Sequence, residues 1–176
     1  MKRALVVVDM QNDFITGALG FEGAKQVKEN VLEKIHTYKA REDTVFYTMD
    51  THDEGYLDSV EGKHLPVKHC IKGTWGQQID ADIAETIGDF DPVLEKPTFP
   101  SSGLLDYLRS GEYDTIELVG LVSHICVISN AVIAKAGAPN ARIMVDARAT
   151  DGPDQTLHKK ALDVMENLHI EITNRS

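Results

Sequence analysis

Apolar, β-branched segments alternate with segments of helical spacing from one end of the chain to the other. Residues 4–8 (Ala-Leu-Val-Val-Val) are continuously apolar, as expected for a strand that is buried on both faces. Residues 23–40 carry apolar side chains at helical spacing, and residues 44–49 are again rich in β-branched and aromatic side chains. This order predicts a parallel sheet with helices on both faces, which is a three-layer α/β/α sandwich.

The alternation continues to the end of the chain and predicts six strands in what we expect to be one domain, residues 1–176. Residues 50–74 have no clear period, and a loop of that length in a compact domain is usually functional. The remaining predicted strands are residues 91–95, 115–120, 141–145 and 170–173, and the remaining predicted helices are residues 77–86, 101–110, 123–136 and 153–168.

Composition and charge argue against several classes of function. The net charge is −10, with 28 acidic and 18 scattered basic residues, so nucleic acid is not expected as a partner. The first apolar run ends at Asp9, too early for a signal peptide, and no apolar stretch is long enough to span a membrane. Two cysteines, Cys70 and Cys126, do not form a disulfide framework, and a reducing cytoplasm is the expected location.

Cys126 lies where the strand of residues 115–120 gives way to a helix. Open α/β sheets bind ligands at the carboxyl ends of their strands, so this position is a candidate for chemistry. A helix N-terminus favours a thiolate over a thiol, and the thiolate is the nucleophile. The simpler alternative is that Cys126 is a small buried apolar residue.

Asp9 and Lys96 follow two other predicted strands. A carboxylate at the edge of an apolar sheet, such as Asp9, should have a raised pKa suited to acid–base work, although an Asp there can also cap a turn. Lys96 lies between Glu95 and Pro97, and most lysines are only solvated charges. Together the three residues offer a nucleophile, a base for its proton and a cation beside it, as covalent catalysis requires.

A second group of candidate residues lies in the loop that follows residues 44–49. Asp50 and His52 are two residues apart on an extended segment, so their side chains can point to the same side, and His69 comes later in the loop. Imidazole and carboxylate ligands suit zinc, iron or manganese. A polar loop with solvated histidines explains the same residues equally well.

Four segments resemble the isochorismatase-like cysteine hydrolases, and within them the nicotinamidases. The first and last are specific to the superfamily, and the second resembles the metal site of nicotinamidases. The segments are Val-Asp-Met-Gln-Asn-Asp-Phe at 8–14, Asp-Thr-His at 50–52 with Pro-Val-Lys-His-Cys-Ile-Lys-Gly-Thr at 66–74, Glu-Lys-Pro at 95–97, and Val-Gly-Leu-Val-Ser-His-Ile-Cys-Val at 119–127.

The resemblance implies a sheet of strand order 3-2-1-4-5-6 and a catalytic triad of Asp9, Lys96 and Cys126. It also implies a cis peptide bond between Val122 and Ser123. That turn would direct the backbone N–H groups of Val122 and Cys126 toward an oxyanion.

The same resemblance implies one divalent metal, most often zinc, with iron or manganese as alternatives. Its ligands would be Asp50, His52 and His69, and some members add a ligand between the two histidines, for which Glu61 and His64 are the candidates.

The resemblance further implies a substrate pocket lined by Phe14. This chain has Pro66, preceded by Leu65, where nicotinamidases usually have an aromatic residue that stacks on the pyridine ring. Trp75 could supply a ring from nearby. The pair Ser123-His124 stands where Thr-Asp is more usual.

The implied activity is hydrolysis of nicotinamide to nicotinate and ammonia through a Cys126 thioester, in cytoplasmic pyridine-nucleotide salvage, by a homo-oligomer. One alternative is hydrolysis of another small amide, carbamoyl or ureido compound. A second is a hydrolase that uses metal-bound water. A third is a catalytically silent binding protein, against which the complete set of Asp9, Lys96 and Cys126 argues.

Overall fold

The computed structural model describes residues 1–175 and contains a six-stranded, all-parallel sheet of order β3-β2-β1-β4-β5-β6. This confirms the predicted fold class and strand order. The strands are β1 (Arg3–Val8), β2 (Thr44–Asp50), β3 (Val93–Lys96), β4 (Thr115–Leu121), β5 (Arg142–Asp151) and β6 (Glu171–Thr173).

Helices cover both faces of the sheet, because successive side chains of a strand point to opposite faces. The helices are α1 (Asn12–Ile15), α2 (Ala24–Lys39), α3 (Val60–His64), α4 (Ala81–Ala84), α5 (Ser102–Gly111), α6 (Ile128–Gly137) and α7 (Gln155–Asn167). In β1, Leu5 and Val7 join one apolar core with α2, while Ala4, Val6 and Val8 join a second core with α5, α6 and α7.

The strand register brings the candidate catalytic residues to one edge of the sheet. Val8, the last residue of β1, pairs with Gly120 of β4, and Asp50 pairs with Lys96 across β2 and β3. Gly120 has φ +116°, and a Cβ there would lie 2.1 Å from the carbonyl oxygen of Val8. The close approach of β1 to β4 next to Cys126 therefore requires glycine.

Two predicted helices differ from the observed elements. The predicted helix 77–86 contracts to α4, because Ile79 pairs with Gln11 in an isolated antiparallel bridge and the Asp80 side chain caps the helix by accepting from the Asp82 N–H. The predicted helix 123–136 divides into a wide π-type turn, Ser123–Val127, and α6. Cys126 lies in this turn and precedes the regular helix.

The loop after β2 has more structure than its sequence indicates. It contains a 3₁₀ turn, Tyr56–Asp58, followed by α3, whose first turn is capped by the Ser59 hydroxyl accepting from the Gly62 N–H. Strand β5 runs six residues beyond its predicted end because the β4–β5 pairing continues after an irregularity in register between Leu118 and Gly120.

The cis peptide bond lies between Leu121 and Val122, one residue before the predicted Val122–Ser123 bond. The bond joins Leu121, the last residue of β4, to the nitrogen of Val122.

The sequence predicts no apolar stretch long enough to span a membrane. Within residues 1–175, none of the helices combines the length and the apolar character needed to cross a bilayer.

Candidate active site

Asp9, Lys96 and Cys126 meet at the carboxyl edge of the sheet, and all three are buried. The Lys96 Nζ lies 2.7 Å from Asp9 Oδ2 and donates to Cys126 Sγ at 3.6 Å. To reach Asp9, which directly follows β1, the Lys96 side chain extends from β3 past the end of β2, where it contacts Asp50 Oδ1 at 3.3 Å. The structure thus brings together three residues that are up to 117 positions apart, from position 9 to position 126.

Asp9 has an environment suited to a general base. It adopts φ +49° immediately after β1, and its Oδ1 accepts a 2.6 Å hydrogen bond from the Thr48 hydroxyl. Burial raises the pKa of Asp9 above its usual value, and the nearby Lys96 ammonium opposes that rise. The raised pKa has the direction that the sequence indicates.

The pKa of Cys126 is shifted in the direction opposite to that expected at a helix N-terminus. Burial raises the pKa of Cys126 well above its usual value, and the charge of Asp9 adds to the rise, while Lys96 lowers it. A thiolate loses more solvation in this buried position than the adjoining helix returns. The raised pKa favours the thiol over the thiolate, so Cys126 would need an acceptor for its proton before the sulfur could act as a nucleophile.

Lys96 is a buried ammonium, whereas most lysines are exposed. Burial alone would lower its pKa, but Asp9, Cys126 and Asp50 together raise the pKa of Lys96, so it stays charged. The ammonium also donates to the Thr98 carbonyl at 3.0 Å. These contacts hold its charge beside the thiol.

Cys126 lies in a hydrogen-bonded turn that begins at Val122. The Val122 carbonyl accepts hydrogen bonds from the N–H groups of Ile125 at 3.2 Å and Val127 at 3.1 Å. The role of the Val122 and Cys126 amides as an oxyanion site stays a prediction.

Asp50, His52, Glu61 and His69 form a second cluster, in which one ligand atom from each lies within 4.8 Å of the others. Asp50 Oδ2 is 2.9 Å from His52 Nε2 and 3.3 Å from His69 Nε2. Glu61 Oε1 is 3.6 Å and 3.7 Å from the same two nitrogens. Two imidazoles and two carboxylates are a donor set that suits zinc, iron or manganese.

Glu61, rather than His64, is the fourth member of this cluster. Both lie on α3, but Glu61 is in its first turn and faces the histidines. His64 is exposed, and its Nδ1 is 2.9 Å from the Val60 carbonyl.

The histidine rings are oriented as metal ligands usually are. His69 Nδ1 lies 2.8 Å from the Val67 carbonyl, which fixes the Nδ1–H tautomer and leaves the Nε2 lone pair facing the cluster. Tyr56 packs against both His52 and His69, with ring centroids 4.6 Å and 4.9 Å away. The residues present therefore fit a divalent metal.

A cavity of 170 Å³ is lined by Cys126 and by three members of the cluster, Asp50, Glu61 and His69. Its volume and mostly apolar walls suit a small, flat organic molecule. The remaining lining residues are Phe14, Leu19, Leu65, Phe99, Val122, His124, Ile125 and Pro153.

The structure places two of the three predicted pocket residues on this cavity. Phe14 and Leu65 line it, whereas Trp75 is 58% exposed and lines a separate surface cavity with Asn12 and Ile79. The Trp75 carbonyl accepts a hydrogen bond from the Asn12 side chain at 2.8 Å, which holds this part of the loop next to Asn12. Phe99 instead supplies an aromatic ring.

Sequence reasoning missed several residues of the site. Phe99 lies between Pro97 and Pro100, directly after the segment that carries Lys96, so its proximity to a candidate residue was the available signal. Thr48 precedes Asp50 by two residues on β2, and its hydroxyl was indistinguishable from any other in a strand.

Comparison with known proteins shows similarity of both sequence and fold. A model of the isochorismatase domain matches residues 3–175. The chain is 26% identical over 174 residues to the nicotinamidase of Acinetobacter baylyi, covering 82% of this chain and 79% of that protein. Its fold is similar to that of the pyrazinamidase of Pyrococcus horikoshii in complex with zinc, with a TM-score of 0.86 and 23% identity over 99% of this chain and 100% of that one.

A third relative has a different substrate. The chain is 30% identical to the N-carbamoylsarcosine amidase of Thermoplasma acidophilum, with a TM-score of 0.81 over 100% of this chain and 99% of that one. With the domain match over nearly its whole length and the strand order already described, the chain belongs to the isochorismatase family.

Proposed function

We propose that this protein is a metal-containing cysteine amidohydrolase that converts nicotinamide and water to nicotinate and ammonia. The observation that carries the proposal is the contact of Lys96 with both Asp9 and Cys126, beside a cavity that Cys126 lines together with three members of the four-residue ligand cluster. The similarity to the Acinetobacter baylyi nicotinamidase supports the choice of substrate.

In the proposed first half of the reaction, the Asp9 carboxylate takes the proton of the Cys126 thiol. The sulfur forms a bond to the amide carbon, and the carbonyl oxygen becomes an oxyanion that the backbone N–H groups of Val122 and Cys126 stabilise. Asp9 then returns the proton to the departing nitrogen, the C–N bond breaks, and ammonia leaves a thioester on Cys126.

In the second half, Asp9 removes a proton from water, which attacks the thioester carbon. The C–S bond breaks, the thiol regains its proton from Asp9, and nicotinic acid leaves and releases its own proton to solvent as nicotinate. Burial raises the pKa of Asp9 and also that of Cys126, so the proton moves between two groups whose pKa values are shifted in the same direction. Lys96 stays protonated throughout and offsets the negative charge of the pair.

We further propose that Asp50, His52, Glu61 and His69 hold a divalent metal, with zinc as the first choice. The zinc complex of the Pyrococcus horikoshii pyrazinamidase, which has the same fold, supports this assignment. A metal held by these residues would supply a Lewis acid beside the cavity, and it would act by positioning the substrate. Phe14 and Phe99 would exclude water around the ring.

The test is ammonia release from nicotinamide by the zinc-loaded protein, with initial rates measured over a range of substrate concentrations. Saturable release that is proportional to enzyme concentration supports the proposal. Zinc-loaded, folded protein that releases no ammonia from nicotinamide would contradict the substrate assignment.

A carbamoyl compound is the second candidate substrate. It is favoured by the 30% identity to the N-carbamoylsarcosine amidase and by Leu65 and Pro66 in place of a stacking aromatic residue. The same assay with N-carbamoyl amino acids separates the two candidates, because a higher kcat/KM for one class identifies the preferred substrate.

Removal of the Glu61 carboxylate is expected to weaken zinc binding by more than the roughly 10–100-fold typical of losing an outer-shell partner, since Glu61 faces both histidines. Titration of the Glu61→Ala protein with zinc against a chromophoric chelator measures this. His64→Ala is the matched control from the same short helix, and we expect its affinity to equal that of the unaltered protein. Equal affinities in all three proteins would remove Glu61 from the ligand set.

A further inference from the structure

The side chain of Gln11 continues the β1–β2 hydrogen-bond ladder beyond the point where the backbone of β1 ends. The last backbone bond of this ladder joins the Asp9 N–H to the Thr48 carbonyl at 3.2 Å. Gln11 Oε1 then accepts from the Asp50 N–H at 2.8 Å, and Gln11 Nε2 donates to the Asp50 carbonyl at 2.8 Å. One carboxamide thus occupies both backbone groups of Asp50, as a neighbouring strand would.

The residue held in this way contacts both halves of the site. Asp50 Oδ1 lies 3.3 Å from the Lys96 ammonium. Its Oδ2 lies 2.9 Å from His52 Nε2 and 3.3 Å from His69 Nε2. A rotation of the Asp50 backbone would therefore move a carboxylate relative to the ligand cluster and to the catalytic lysine at once.

Gln11 itself is held firmly. It is fully buried, its N–H donates to the Asp9 carbonyl at 2.8 Å, and its Nε2 makes a second bond, to the Gln77 carbonyl, at 2.7 Å. Its backbone also pairs with Ile79 in an isolated antiparallel bridge. The orientation of the carboxamide is fixed from both ends, which suits it to transmit a fixed orientation to Asp50.

We propose that Gln11 is a positioning residue that sets Asp50 for metal binding. This inference rests on the metal site of the proposed function. It goes further by assigning a part of the metal affinity to a residue that contributes no ligand atom. Outer-shell hydrogen bonds of this kind orient first-shell ligands, and their loss typically weakens metal binding roughly 10–100-fold.

A matched control for Gln11 exists on the other side of the site. Asn130 is also fully buried and also makes three hydrogen bonds to the backbone. It accepts from the Ser101 N–H at 2.9 Å and donates to the carbonyls of Phe99 at 3.0 Å and Cys126 at 2.8 Å. Gln11→Leu and Asn130→Leu therefore remove the same kinds of hydrogen bond from equally buried positions, but only the first removes them from Asp50.

The experiment measures zinc affinity by chelator competition and melting temperature for both variants and the unaltered protein. We expect both variants to melt at a lower temperature, and only Gln11→Leu to lose zinc affinity, by about 10–100-fold. Folded Gln11→Leu with unaltered affinity would overturn the inference, as would an equal loss of affinity in Asn130→Leu. Absence of zinc binding in the unaltered protein would instead refute the metal site itself.

A second variant covers the case in which Gln11→Leu does not fold. Gln11→Glu keeps the size of the side chain and the acceptor for the Asp50 N–H, but it places an oxygen against the carbonyls of Asp50 and Gln77. We expect weaker zinc binding at pH 8, where the carboxylate cannot donate to either carbonyl. Unaltered affinity of Gln11→Glu at that pH would overturn the inference.

Discussion

Replacement of Cys126 by alanine is expected to reduce nicotinamide hydrolysis on the order of 10⁴-fold or more, because the nucleophile of a covalent mechanism has no substitute. The fold should survive, since the change deletes a single buried atom and costs about 1 kcal/mol of unfolding free energy. The measurement is ammonia release by the zinc-loaded Cys126→Ala protein, together with its thermal melting curve.

Cys70 provides the matched control for this experiment. It is the other buried thiol, and its Sγ has one weak contact, with the Gly76 carbonyl at 4.0 Å. Burial raises its pKa as well, so a buried thiol with a raised pKa does not by itself define the nucleophile. We expect Cys70→Ala to retain hydrolysis.

Hydrolysis that persists in Cys126→Ala would contradict the covalent mechanism and favour attack by metal-bound water. A second observation distinguishes the two routes. Mass spectrometry of the enzyme quenched during turnover should detect an acylated Cys126 in the covalent route, whereas attack by metal-bound water leaves the chain unmodified.

Replacement of Lys96 by methionine is expected to destabilise the protein by roughly 3–5 kcal/mol, because it leaves buried carboxylates without their cation. Lys96 is 2.7 Å from Asp9 and 3.3 Å from Asp50, and all three side chains are buried. Urea unfolding of Lys96→Met measures the loss. The control is Lys72→Met, since Lys72 is exposed and lies 3.6 Å from Glu95, a pair worth about 0–1 kcal/mol.

The stability of Lys96→Met should also depend on pH in a direction that identifies the cause. Burial raises the pKa of Asp9, and the ammonium that opposes this rise is absent from the variant, so the folded pKa moves further above the unfolded value of about 3.9. In the window between these two values the folded state binds more protons than the unfolded state. Its stability therefore falls as the pH rises through that window.

The difference in unfolding free energy between Lys96→Met and the unaltered protein should accordingly shrink as the pH is lowered from 8 toward 5. A difference that is the same at every pH would show that lost packing of the lysine stem, and not the unpaired carboxylates, destabilises the variant.

The fold could be predicted from the sequence because hydrophobic patterning is local. The five apolar residues 4–8 specify a strand buried on both faces, and the alternation of strands and helices specifies a parallel sheet. The boundaries of short elements could not be predicted, because tertiary contacts decide them. Ile79 lies outside α4 because it pairs with the distant Gln11, which no local pattern indicates.

The residue types of the candidate site were also readable, since Asp9, Lys96 and Cys126 lie at or just after the ends of separate parallel strands and therefore reach the same edge of the sheet. The sequence by itself determined that a thiol, a carboxylate and an ammonium lie at that edge. Only the tertiary structure decided the direction in which the pKa of Cys126 is shifted, because that pKa depends on burial and on the charges around the thiol rather than on its place before a helix.

The same division applies to the ligand cluster and the cavity. The sequence indicated that Asp50, His52 and His69 lie at and after the end of one strand, with Glu61 as the candidate for a further ligand and His64 as its competitor. Only the structure decided for Glu61 and placed Trp75 outside the cavity. The physical reason is that the orientation of a loop side chain depends on which distant backbone groups hold the loop, and these groups are brought together only when the sheet has formed.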